Sequence, residues 1–115
     1  MALNEVFRDA EHLSLTVPAG TLSGAPLRLG GATGLNVVAE TDIDKGGNTT
    51  GKASCWTGGA HRFSVAGAVT TELQPIYITA ANALTATLTG NTFYGVALSL
   101  KAAAGAGPVV VKIVN

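Results

Sequence analysis

Apolar and polar positions alternate through most of the chain. Leu13, Leu15 and Val17 fall on one face of residues 12–17, and Ser14 and Thr16 on the other. That period of two is what a half-buried strand requires. Pro26 leads Leu27, Arg28 and Leu29 in the same pattern, at a strand's first position, where its missing N–H costs least. A corner at residues 30–34, with Gly30, Gly31 and Gly34, allows positive φ and leads into a return strand of Leu35, Asn36, Val37 and Val38. Further short strands are predicted at 52–56, 61–65 with Phe63 and Val65 inward, 75–79 with Ile76 and Ile78 inward, 84–89, 95–100 and 109–114. Turns at 18–20, 23–24, 57–59, 66–67 and 90–91, a polar loop at 42–51 and a small-residue loop at 102–108 separate them. No run of ten or more residues carries a helical period. The expectation is an all-β fold, a small β-barrel or sandwich. Residues 1–11 are polar apart from Leu3, Val6 and Phe7 and show no clean period. They read as an extended N-terminal arm, leaving 12–115 as a single β domain.

The pattern recurs. His12 and His61, and Pro26 and Pro75, have the same spacing, and Leu15 through Gly20 echoes Phe63 through Gly67 with one gap. Two rounds of one design predict halves that close on each other, since an open sheet leaves edges that must be paired or covered. On that reading Pro26 and Pro75 open equivalent strands, and Gly34 and Gly95 open equivalent return strands. Leu27, Leu29, Val37, Ile76, Ile78, Val96 and Leu98 then share one core, with Arg28 and Tyr77 outward.

Composition narrows the class. The 115 residues are 47% hydrophobic and only 12% charged, with a formal net charge of zero, against a usual charged share of roughly 25%. A soluble monomer normally keeps charge on its surface. The inference is a surface covered by copies of itself or by a larger partner. Seven basic residues scattered among seven acidic ones are not the clustered Lys and Arg of a nucleic-acid binder. Residues 73–100 carry no charge but are broken by Pro75, Gly90 and Gly95 and are rich in Thr and Asn, so no membrane span is expected. Residues 1–11 hold three acidic residues and no apolar core of a secretory signal, so synthesis in the cytoplasm is expected.

Candidate chemistry is sparse. Residues 46–52 have phosphate-loop spacing, but Ala53 stands where Ser or Thr would ligate magnesium, and no helix follows. The bland reading, a hairpin loop, wins. Cys55 is the only cysteine, which excludes an intrachain disulfide, and beside Trp56 it reads as a packing thiol. With His12 and His61 it supplies too few ligands for zinc, and no third group is marked to orient a Cys55–His61 nucleophile pair. Glu40, Asp42 and Asp44 lack the spacing of a calcium loop. Asn48 heads a formal glycosylation acceptor that has no use without secretion. No catalytic, cofactor or metal site is expected.

From Phe7 to Gly34 the chain resembles the head decoration proteins of tailed bacteriophages, also called capsid cement proteins. The resemblance rests on the strand of Leu13, Leu15 and Val17, then Pro18-Ala19-Gly20, Ser23-Gly24-Ala25-Pro26, the Leu27 and Leu29 strand, and Gly31 with Gly34. Gly59 with Phe63, Pro75-Ile76-Tyr77-Ile78, Asn91 through Ala97 and the valines after Val109 continue it. One departure is Leu73-Gln74 before Pro75, where many relatives carry Gly-Asp. The resemblance implies a small barrel of the β-tulip kind, a homotrimer on the outside of the mature capsid, and the major capsid protein as partner. It also implies no catalysis and no cofactor, with Val6, Phe7 and Arg8 the candidate capsid-binding residues of the arm. Two readings stay beside it: another virion barrel from the tail or head-completion apparatus, and a carbohydrate- or ligand-binding β module.

Overall fold

A computed structural model describes residues 11–115 as nine strands with one 3-10 turn and no α-helix. The first four are β1 (His12–Thr16), β2 (Pro26–Leu29), β3 (Leu35–Ala39) and β4 (Lys52–Trp56). They form an open antiparallel sheet in the order β1-β4-β3-β2. The other five are β5 (Ala60–Ala66), β6 (Pro75–Ile78), β7 (Leu84–Thr85), β8 (Thr92–Ala97) and β9 (Gly107–Ile113). They close into a barrel, β5-β7-β6-β8-β9, in which only the β5–β7 pairing is parallel. The all-β barrel class expected from the alternation is the fold observed.

The two-round design is visible in the pairing. β1 pairs β4, β4 pairs β3 and β3 pairs β2. In the second half β5 pairs β9, β9 pairs β8 and β8 pairs β6, the same order. Even the register matches at the prolines: Pro26 lies opposite Val38, and Pro75 opposite Val96. The halves do not, however, close on each other around one core. Leu27, Val37, Ala39, Ala53 and Cys55 form one apolar cluster, while Phe63, Ile76, Ile78, Tyr94 and Val111 belong to another. The cause is an insertion. Residues 30–34 turn tightly between β2 and β3, but residues 79–91 separate β6 from β8 and carry β7, which bonds to β5 and closes the second half upon itself.

Three local departures have physical causes. Gly95 does not open a return strand but lies inside β8. A Cβ there would sit 2.2 Å from Lys112 O, so glycine is what lets β8 and β9 approach. The β6–β8 register shifts between Ile76 and Tyr77, leaving Tyr94 as an extra, inward residue. Gly95 and Ala97 then face inward opposite Ile113 and Val111, while Val96 lies opposite exposed Lys112. Val96 is therefore only half-buried and Leu98 is exposed, against the expectation of a shared core. Strand β7 is also shorter than residues 84–89, because Thr85 Oγ1 accepts from Thr87 N and draws the backbone into a turn.

Candidate functional site

The two halves meet on β3. Successive side chains of a strand point to opposite faces. Val37 and Ala39 enter the core of the open sheet, while Val38 joins the barrel cluster and Asn36 points the same way as Val38. Asn36 is buried, and a buried amide is stable only when its hydrogen bonds are made. Its Nδ2 donates to Phe93 O at 3.0 Å, Tyr94 O at 3.2 Å and Val114 O at 2.8 Å. Its Oδ1 accepts from Arg28 Nη1 at 3.0 Å. Asn115 closes the seam from the far end of the chain. Its Oδ1 accepts from Asn36 N at 2.7 Å, and its Nδ2 donates to Asn36 O at 2.9 Å and Thr57 O at 2.7 Å. The Tyr94 hydroxyl donates to Val37 O at 2.6 Å. Burial pushes the Tyr94 phenol well above its ordinary range, with the Cys55 thiol adding in the same direction.

This seam bears on the residues that the sequence singled out. Arg28, expected to face solvent, is half-buried and bonded to Asn36 and to Gly31 O, because the barrel covers the outer face of β2. Cys55 lies in the core of the open sheet, where burial raises its thiol. His61 lies across the seam on β5 with its ring at Gly58 O, so the structure does not pair it with Cys55. In the 42–51 loop Asp44 accepts from Gly51 N and Asp42 from Ser23 N. Asn48 bonds Lys45 O, Thr41 Oγ1, Ser54 Oγ and Ser14. The loop is laced by its own side chains rather than open as a phosphate cradle. His12 stacks on Trp56 with ring centroids 4.3 Å apart and bonds Glu40. Val6, Phe7 and Arg8 lie outside the described residues.

Among the described residues no buried side-chain nitrogen or oxygen lacks a partner, so no such atom is held ready for a ligand. What the surface offers instead is apolar area. Leu22, Leu73, Leu88 and Leu100 are each more than half exposed, and Leu35, Phe93, Leu98 and Trp56 are exposed as well. A contiguous exposed apolar patch marks a contact surface, whereas single exposed leucines are ordinary. The alternation in the sequence gave no sign of most of them, since an outward leucine in a strand or loop reads like an inward one.

A family model described as phage cement protein matches residues 7–113. The chain belongs to the phage cement protein family. No curated protein and no solved structure matches it. Membership makes the protein a structural component of the phage capsid, in a family that is not a known class of enzyme. The match takes in Phe7 and Arg8 of the expected arm and all of β9.

Proposed function

We propose that the protein binds the outside of the mature phage head as a homotrimer, contacts the major capsid protein, and stabilises the shell. The observation that carries this is the set of exposed leucines and aromatics on a chain with so few charges, in a member of the cement family. Addition of the purified protein to mature capsids that lack it tests the reading. Cryo-EM is expected to show new density on the outer surface, and the decorated shell to rupture at a higher temperature. Density confined to the tail or the neck would sink it.

The arm is part of this proposal. Val6, Phe7 and Arg8 are its capsid-binding residues, and its last residue is anchored where Glu11 O accepts from Thr57 N at 2.7 Å. Deletion of residues 1–10 is expected to leave the melting temperature of the β structure within a few degrees of the full chain and to abolish capsid decoration. Full decoration by the truncated protein would remove the arm from the interface.

Self-association follows apolar packing rather than ion pairs. Exposed ion pairs contribute about 0–1 kcal/mol each and weaken with salt. Apolar burial contributes about 25 cal/mol per Å² before the costs of association. The oligomer is therefore expected to persist in molar NaCl. Sedimentation at low and molar salt checks this, and dissociation in molar salt counts against it.

A further inference from the structure

Beside the seam, the barrel-side face of the open sheet runs on past the barrel. Strand pairing sets His12 opposite Trp56, Trp56 opposite Val38 and Val38 opposite Pro26, so these residues form one row across the sheet. Val38 is covered by the barrel. Between the row and β5 lies a cleft made of two adjoining cavities, of about 340 and 460 Å³, that share Gly24, Arg62 and Phe63. Clefts of this size at a junction between structural units are where small ligands bind.

Trp56 lines the smaller cavity and is 36% exposed. His12 lies against its ring with centroids 4.3 Å apart and is held in turn by Glu40. The indole is thereby fixed in orientation without being buried. Asn82 lines the larger cavity, with a left-handed backbone, φ 62°, that asparagine tolerates. Its Oδ1 accepts from Arg28 N at 3.1 Å, and its Nδ2 has no partner among the described residues. The Arg62 guanidinium, the Ser64 hydroxyl and the Trp56 Nε1–H are likewise unspent among the described residues. In the seam the opposite holds: Asn36 and Asn115 use both ends of their amides on the chain itself.

We infer that this cleft binds a neutral oligosaccharide, with a pyranose ring on Trp56 and hydroxyls on Arg62, Ser64 and Asn82 Nδ2. The C–H face of a pyranose is apolar and its rim is hydroxylated, which suits a fixed indole flanked by unspent polar groups. An anion is disfavoured, because the Glu40 carboxylate shares the cleft with Arg62, the one Lys or Arg that lines it. An extended peptide is disfavoured as well. The row crosses the strands, so no strand edge of the open sheet runs along the cleft to pair with a peptide backbone. Such a site is separate from attachment to the capsid, and either can fail without the other.

Trp56 is the chain's only tryptophan, so its fluorescence reports the cleft directly. The full chain is titrated into the millimolar range with maltohexaose, mannohexaose and chitohexaose, and at least one is expected to give a saturable emission shift. Calorimetry with that sugar then tests the residues. Trp56→Ala and Arg62→Ala are each expected to raise the dissociation constant roughly tenfold or more, as loss of a stacked ring or a charged hydrogen bond does. Trp56→Phe should keep part of the affinity. Asn82→Asp retains the acceptor for Arg28 N and removes only the Nδ2 donor, so the melting temperature should hold while binding weakens. If no sugar gives a saturable change, the cleft is not a sugar site. If a sugar binds and Trp56→Ala, Arg62→Ala and Asn82→Asp all bind it like the wild type, it sits elsewhere and the assignment falls. Preferential binding of a heparin hexasaccharide, lost in Arg62→Ala and kept in Trp56→Ala, would make the cleft an anion site instead.

Discussion

Replacing Asn36 with leucine is expected to lower the melting temperature by on the order of 10 °C and to speed amide exchange across β3 and β8 first. Asn36 is the polar centre of the seam. Leucine removes the donor to Val114 O, Phe93 O and Tyr94 O and the acceptor for Arg28 Nη1. Tyr94 O keeps Val114 N, while Val114 O and Phe93 O lose the amide as a donor. Each buried group left unpaired costs about 1–3 kcal/mol, and a loss of about 3 kcal/mol in total gives a fall of that size. The variant also tests a proposal about organisation. Although each half has its own core, we propose that residues 12–115 unfold as one domain because the seam couples them. The wild-type chain is then expected to melt in a single transition and Asn36→Leu to split it in two. A single transition at the wild-type temperature in the variant would show that the amide network carries little of the coupling.

Ile76→Ala should cost about 2–5 kcal/mol, the range for a buried isoleucine cut to alanine. Ile76 is fully buried in the barrel, on the strand that bonds to both β7 and β8. Loss of its side chain leaves a void where the β6–β8 register shifts, and the bulged Tyr94 beside it is tied to Val37 O and has little freedom to fill the space. Val96→Ala supplies the contrast. Alternation alone would put Val96 in the same core, but it lies opposite Lys112 on the outer side and should cost under about 1 kcal/mol. Chemical denaturation of both variants decides between the two placements, and a Val96→Ala loss equal to that of Ile76→Ala would contradict the bulge.

Much of the strand order was legible. The prolines that lead β2 and β6 mark equivalent strands, and the two halves do repeat a pairing order. The seam was not. Asn36 sits in an alternating strand like any outward polar residue, and its burial depends on a barrel built from residues far along the chain. Asn115 gave no signal at all, since a side chain that completes a strand's backbone bonds has no pattern of its own. The arm residues Val6, Phe7 and Arg8 remain a proposal resting on sequence.

The sequence by itself determined where the chain extends and turns, because period-two alternation and the positions of glycine and proline act within a few residues. It also determined that the surface would be poor in charge, since 14 ionisable Asp, Glu, Lys and Arg side chains, seven of each sign, cannot cover it. Only the tertiary structure decided which apolar faces share a core. Alternation states that a face is apolar and not what lies against it. That choice was made by the 79–91 insertion, which supplies β7 and closes the second half on itself, and by the bulge at Tyr94, which moves Val96 from the inside to the outside. With the barrel closed, the first sheet was left to bury β3 against it, and that contact turned Arg28 and Asn36 from surface residues into the seam.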